Sequence, residues 1–186
     1  LAGIPWEVII VDDNSPDGTA DEAECDYVTQ IVIRRRESSD LSSNRLLLVD
    51  IFSGARTPAH VTSQEFYELL VPLLSPNGLV AVNIADGSGL AFAKRQLATL
   101  QSVWPNVACA ANTTLLKGRR FGNVVAFAST APVPVAELQR AIAGDMFPAK
   151  VIHGDELAHM IAGISAVSDA DAVASPLPSR TVFLAK

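Results

Sequence analysis

The chain has 186 residues, of which 49% are hydrophobic, and a formal net charge of −6. That length suits one domain with a sizeable core, and the acidic balance argues against nucleic acid as a partner. No uninterrupted apolar run reaches ~18 residues, so no membrane span is expected, and two cysteines in unrelated segments, Cys25 and Cys109, suggest neither a disulfide framework nor a metal site, which makes a reducing cytoplasm the default.

The β-branched, apolar run at residues 7–11 predicts a buried strand. It ends in the turn cluster Asp12-Asp-Asn-Ser-Pro-Asp-Gly18. A capped helix over about 20–26 and a strand over 27–33 complete an expected β-α-β unit in the first 44 residues. Residues 45–52 predict a third strand, followed by a loop at 53–62. Ser63 caps a predicted helix over 64–74, with Phe66, Leu69, Leu70 and Leu73 at helical spacing. Ser75-Pro-Asn-Gly78 stops it. Further strands are expected at 79–84, 107–111 and 124–128, with a helix over 89–103 that ends before Pro105. Two short helices follow, over 133–143 and 155–164. The tail at 168–180 holds Pro176 and Pro178 and is expected to be loosely held.

This alternation predicts a single α/β domain over residues 1–186, a three-layer sandwich with a mostly parallel sheet and helices on both faces. Ligands of such sheets sit beyond the carboxyl ends of the strands. Asp12, Asp13, Asp50, Asn83 and Asp86 all fall at predicted strand ends. They form either the rim of a polar site or the caps of the following helices, and both readings stand.

Other patterns weigh toward bland roles. Residues 13–24 imitate the oxygen spacing of a calcium loop, but a strand precedes them and Pro16 interrupts them. Asp86-Gly-Ser-Gly89 reads as a tight turn more readily than as an anion loop. His60, His153 and His159 are dispersed, Asp169-Ala-Asp171 follows no buried strand, and Lys117-Gly-Arg-Arg120 reads as a solvated turn. Arg56 suits either a ligand carboxylate or a capping acid.

Two resemblances add to this reading. Residues 46–67, with Leu46-Leu-Leu-Val-Asp50 and the following Ser53-Gly-Ala-Arg-Thr-Pro58, resemble a strand and helix of spermidine-synthase-like proteins. Leu73-Leu-Ser-Pro-Asn-Gly-Leu-Val-Ala-Val-Asn83, Gly118-Arg-Arg-Phe-Gly-Asn123 and the Pro-rich ending extend the resemblance over about residues 45–186. It implies a Rossmann-like, methyltransferase-type fold, a possible homodimer and a decarboxylated S-adenosylmethionine donor without metal. It also implies Asp50 as the carboxylate that takes a proton from an acceptor amine, with Ser53 and Tyr67 as substrate-binding residues. True polyamine enzymes carry a second acid and a proline where this chain has Ser53 and Gly54. The glycine-rich loop that such a donor requires is absent from residues 1–44, where only Gly3 and Gly18 occur.

Ile4-Pro-Trp-Glu-Val-Ile-Ile-Val-Asp-Asp-Asn-Ser-Pro-Asp-Gly-Thr19 resembles the family 2 glycosyltransferases, dolichyl-phosphate mannosyltransferases above all. The resemblance implies Asp13, beside Asp12, as a contact to the base of a nucleotide sugar. That family's Asp-x-Asp metal motif is represented by Asp50-Ile-Phe52, and phenylalanine cannot ligate a cation that prefers oxygen. The chain thus reads as a patchwork of two transferase families joined near residues 44–46. The leading expectation is a spermidine-synthase-like transferase domain with an incomplete donor site and weak or absent activity. A nucleotide-sugar-dependent glycosyltransferase fragment and a non-catalytic assembly domain are the alternatives.

Overall fold

Seven strands pair into one sheet in the order β1-β2-β3-β4-β6-β5-β7. They are β1 (Trp6–Ile10), β2 (Gln30–Arg34), β3 (Asn44–Asp50), β4 (Leu74–Asp86), β5 (Asn106–Asn112), β6 (Gly122–Ser129) and β7 (Ala149–His153). The helices are α1 (Gln64–Leu70), α2 (Ala91–Val103), α3 (Thr113–Leu116), α4 (Val135–Ala143) and α5 (Gly154–Met160). This computed structural model describes residues 6–10, 30–34, 44–54, 56–144 and 149–178. The turn and helix expected at residues 12–26 lie outside them. Among the described residues no helix is long and apolar enough to cross a membrane.

The α/β class is as expected, but the sheet is not mostly parallel. Only β3 and β4 pair in parallel; every other neighbouring pair is antiparallel. The connections explain this. Parallel neighbours need a crossover of a dozen residues or more. The β3-to-β4 connection runs through α1 and supplies one. The β4-to-β5 connection runs through α2 and also returns β5 in the direction of β4. The short α3 turn then sends β6 back between them, so β4 and β5 never touch. At the other edge, β2 rather than β1 borders β3, and both of its pairings are antiparallel. β1 and β2 therefore join the sheet antiparallel, not as the two parallel strands of a β-α-β unit.

Strand alternation divides the core between two faces. On β5, Val107, Cys109 and Ala111 join a large cluster with Leu47, Val82, Leu97, Leu100 and Trp104. Ala108 and Ala110 point the other way, to Val151 and to Leu138 and Ile142 of α4. Each fully buried leucine such as Leu47 or Leu97 contributes about 1.5–3 kcal/mol.

Local chemistry sets the ends of the elements. The Ser63 hydroxyl accepts from the Phe66 N–H at 3.1 Å and starts α1. The helix stops at Leu70, earlier than expected, and a 3-10 turn over Val71–Leu73 replaces its end. Pro72 has no N–H to continue the ladder. Ser75-Pro-Asn-Gly78 lies inside the long strand β4, where the register with β3 jumps from Asn44↔Leu74 to Leu46↔Leu79. The turn residues survive as an irregularity in the strand.

The tail differs most from expectation. Val167 and Ser175 are buried, and Ser175 is 0% exposed. The Val167 carbonyl accepts from the Gln64 N–H at 2.7 Å, and the Val167 N–H donates to Thr99 Oγ1 at 2.9 Å. Ser175 and Thr57 exchange two bonds: Ser175 N–H to the Thr57 carbonyl at 3.0 Å, and Thr57 N–H to Ser175 Oγ at 2.8 Å. Up to residue 178 this segment is a strap across α1, α2 and the loop after β3.

Candidate functional site

The carboxyl end of β3 carries the site, because Asp50 closes that strand and Asn83 lies beside it on β4. Val49 pairs with Val82 in parallel register, so the next residues, Asp50 and Asn83, project from the same face. The Asn83 Nδ2 group donates to Asp50 Oδ1 at 2.9 Å. Asn83 Oδ1 is buried and receives no hydrogen bond. A buried polar atom without a partner costs about 1–3 kcal/mol. The pair therefore sets a half-buried carboxylate against a buried, unpartnered amide oxygen, both acceptors. Chemically that set matches an N–H-rich cation, such as an ammonium, far better than an anion.

Sheet register brings a third strand end to this rim. Gln30 of β2 lies opposite Asp50, and Ile10 of β1 lies opposite Gln30. With strands about 4.8 Å apart, the ends of β1 and β3 emerge roughly 10 Å from each other. Asp12 and Asp13 follow Ile10 in sequence but lie outside the described residues. Because β2 is antiparallel, its amino end faces Asp50, and its carboxyl end, at Arg34, lies opposite Leu46 near the start of β3. A donor site of the expected kind needs a glycine loop and an acid at the carboxyl ends of the two strands beside β3. The strand beside β3 offers its other end here, and residues 1–44 contain no such loop. The described strands β1 and β2 therefore do not reproduce that arrangement.

The remaining expected residues separate. Ser53 is exposed at the tip of a tight loop, in which Ser53 N–H donates to the Arg56 carbonyl at 2.8 Å. Gly54 takes the left-handed conformation there, at φ 60°. Tyr67 is 1% exposed, and its hydroxyl donates to Gln96 Oε1 at 2.8 Å. Gln96 Nε2 in turn donates to the Thr62 carbonyl at 3.0 Å. Burial raises the Tyr67 phenol pKa above its ordinary value. As placed, Tyr67 is a core residue stacked edge-on against Phe66 and Trp104. Arg56 ties the tail to the loop after β3: its Nη2 group donates to the Ala174 carbonyl at 3.2 Å, and its Nε group to that of Ser175.

Asp86 is a helix cap. Its Oδ1 accepts from Gly87 N–H at 2.7 Å and its Oδ2 from Ala93 N–H at 2.8 Å, in the first turn of α2. Of the strand-end acids, Asp86 takes the capping role, while Asp50 is half-buried and accepts from Asn83. Among the described residues no group of three or more His, Cys, Asp or Glu side chains is placed to hold a metal. Asp169 and Asp171 form an exposed 3-10 turn.

Sequence reasoning passed over one further feature, a cavity of about 650 Å³ between α2, the turn after α3 and β7. Its lysines come from three distant segments, so no single motif announces it.

Known proteins resemble both parts of the chain. The fold is similar to the crystal structure of a probable spermidine synthase from Corynebacterium glutamicum, with a TM-score of 0.62 and 31% sequence identity. That match covers 68% of this chain and 48% of the other, so the chain spans about half the length of that protein. No curated protein matches the chain. Residues 2–55 match the model of the glycosyl transferase family 2. The protein therefore joins a segment similar to family 2 glycosyltransferases to a fold similar to a spermidine synthase, within one mixed sheet.

Proposed function

We propose that the chain is the acceptor side of an aminopropyltransferase-like site, which holds an amine at Asp50 and transfers weakly or not at all by itself. The observation that carries this reading is the paired acceptor set of Asp50 and Asn83 at the end of β3. An ammonium is not a nucleophile. A carboxylate beside it aligns the nitrogen by hydrogen bonding and takes up the proton that the amine must lose. Asn83 holds one carboxylate oxygen, which fixes the orientation of the other. The similarity to a probable spermidine synthase supports an amine as the ligand class. The absence of a glycine-rich loop from residues 1–44 supports the weak activity.

Calorimetric titration with putrescine tests the reading. Binding should weaken by about ten- to a hundredfold in Asp50→Asn, since a charged hydrogen bond is worth about 1.5–3 kcal/mol. Equal binding by wild type and Asp50→Asn, or no binding by either, overturns it.

The family-model match over residues 2–55 favours a second reading, a nucleotide-sugar site using Asp12 and Asp13. Its support is the register that brings the end of β1 to the rim of Asp50. Binding of GDP- or UDP-sugars that is lost in Asp13→Ala would favour it over the first. Absence of such binding removes it.

A further inference from the structure

We propose that the cavity between α2, α3 and β7 binds a small organic anion, a carboxylate or phosphate monoester carried on an apolar body. Its volume of about 650 Å³ falls within the ~300–1,000 Å³ of small-molecule sites. The charged part of the wall comes from Lys94 on α2, Lys117 after α3 and Lys150 on β7. Among the described residues Glu156 is the one carboxylate that lines it, and it is paired with Lys150. Lys94 and Lys117 are ion-paired to no other described residue. Among the described residues the lining thus carries two positive charges without an ion-pair partner, in a chain whose net charge is −6.

The rest of the lining is suited to carbon. Leu90, Leu116 and Met160 add apolar side chains to the lining. A concave wall of low dielectric concentrates the field of such charges. Lysine serves carboxylate and phosphate oxygens as a point charge. Gly118 takes the left-handed backbone that favours glycine, at φ 67°, and packs the turn after α3 against Ser88 and Gly89 of the loop before α2. The cavity shares no lining residue with the Asp50 site, and its charge is opposite to what a polyamine requires.

Phenyl phosphate, benzoate, inorganic phosphate and benzylamine are the probes, titrated by calorimetry or by chemical-shift perturbation. Phenyl phosphate or benzoate should bind, and the tighter of the two identifies the head group. Inorganic phosphate, which cannot use the apolar lining, should bind at least about tenfold more weakly, and benzylamine not at all. The double variant Lys94→Gln/Lys117→Gln should lose about tenfold in affinity, each ammonium contributing on the scale of an exposed ion pair, with Tm unchanged. Lys117→Gln alone, at an exposed position, replaces it if the double variant is unstable, with roughly a threefold loss expected. Asp50→Asn should leave this binding intact. Failure of both organic anions to bind, equal binding of benzylamine, or unchanged affinity in the lysine variants overturns the proposal.

Discussion

Tyr67 shows how much a residue's role depends on what surrounds it. Helical spacing selected Phe66, Leu69, Leu70 and Leu73 as the inner stripe of α1, yet Leu69 is 70% exposed and Tyr67 is the buried partner of Leu70. A polar tip allows tyrosine on either face of a helix, and only the position of Gln96, a helix away, decides between them. Tyr67→Phe removes the donor to Gln96 Oε1, so it should destabilise the fold by about 1–3 kcal/mol without weakening putrescine binding. Urea denaturation and calorimetry check the two halves of that statement. Cys109 is 0% exposed, and its thiol pKa is pushed up to about 12, first by burial and then by the charge of Glu156. The unfolded thiol, near 9.0, gives up its proton first, so this contribution is intact below pH 9 and is lost as pH rises toward 12. Wild type should therefore lose more urea stability than Cys109→Ala between about pH 8 and 10.5, and the native thiol should resist iodoacetamide at pH 8. By contrast, Asp50 was legible in the sequence, because a buried strand that ends in an acid announces both its own end and its charge.

Among the elements, those with strong local chemistry were legible and those made by distant partners were not. The extents of α2 and β5 agree with the sequence to within two residues, since caps and apolar runs define them locally. The edge strand β7 was unexpected. Its outward residues are half-exposed or exposed, and only its pairing with β5 makes it a strand. The strap is illegible in the sequence for a similar reason. Prolines suggested a loose tail, but its order comes from Thr57, Thr99 and Arg56, all remote in sequence. Ser175→Ala should accelerate hydrogen exchange at the Thr57 amide, whose acceptor it removes, while leaving the β4 amides protected. Unchanged exchange at Thr57 would show the strap to be dispensable. The first turn of α2 depends on Asp86, and Asp86→Ala should cost about 1–2 kcal/mol, read as a lowered thermal midpoint.

Across the whole molecule, the order of strands and helices was readable but the pairing directions were not. Apolar periodicity says that a segment is a strand. Its direction beside a neighbour is fixed by how the connections route the chain, and the short α3 turn that inserts β6 carries no strong sequence mark. The two resemblances likewise identified segments without showing that their strands would share a sheet. Because β2 covers the outer edge of β3, a chain beginning at Asn44 should expose that edge and self-associate at lower concentration than the full chain. Light scattering across a dilution series checks this, and identical scattering by the two chains would mean that β2 protects nothing.

The insertion of β6 also bears on the order of assembly during synthesis. β4 gains its partner on one side from β3, which leaves the ribosome before it. On the other side Val80 through Asp86 must wait for Gly122 through Ala128. Contacts this far apart in sequence slow folding and prolong the exposure of unpaired backbone. The nascent chain should therefore pass through a stage in which its central strand is half-satisfied and open to chaperones or to misassembly. Pulsed hydrogen exchange during refolding should find the β4–β6 amides protected after those of α2, and simultaneous protection would show that the sheet closes in a single step.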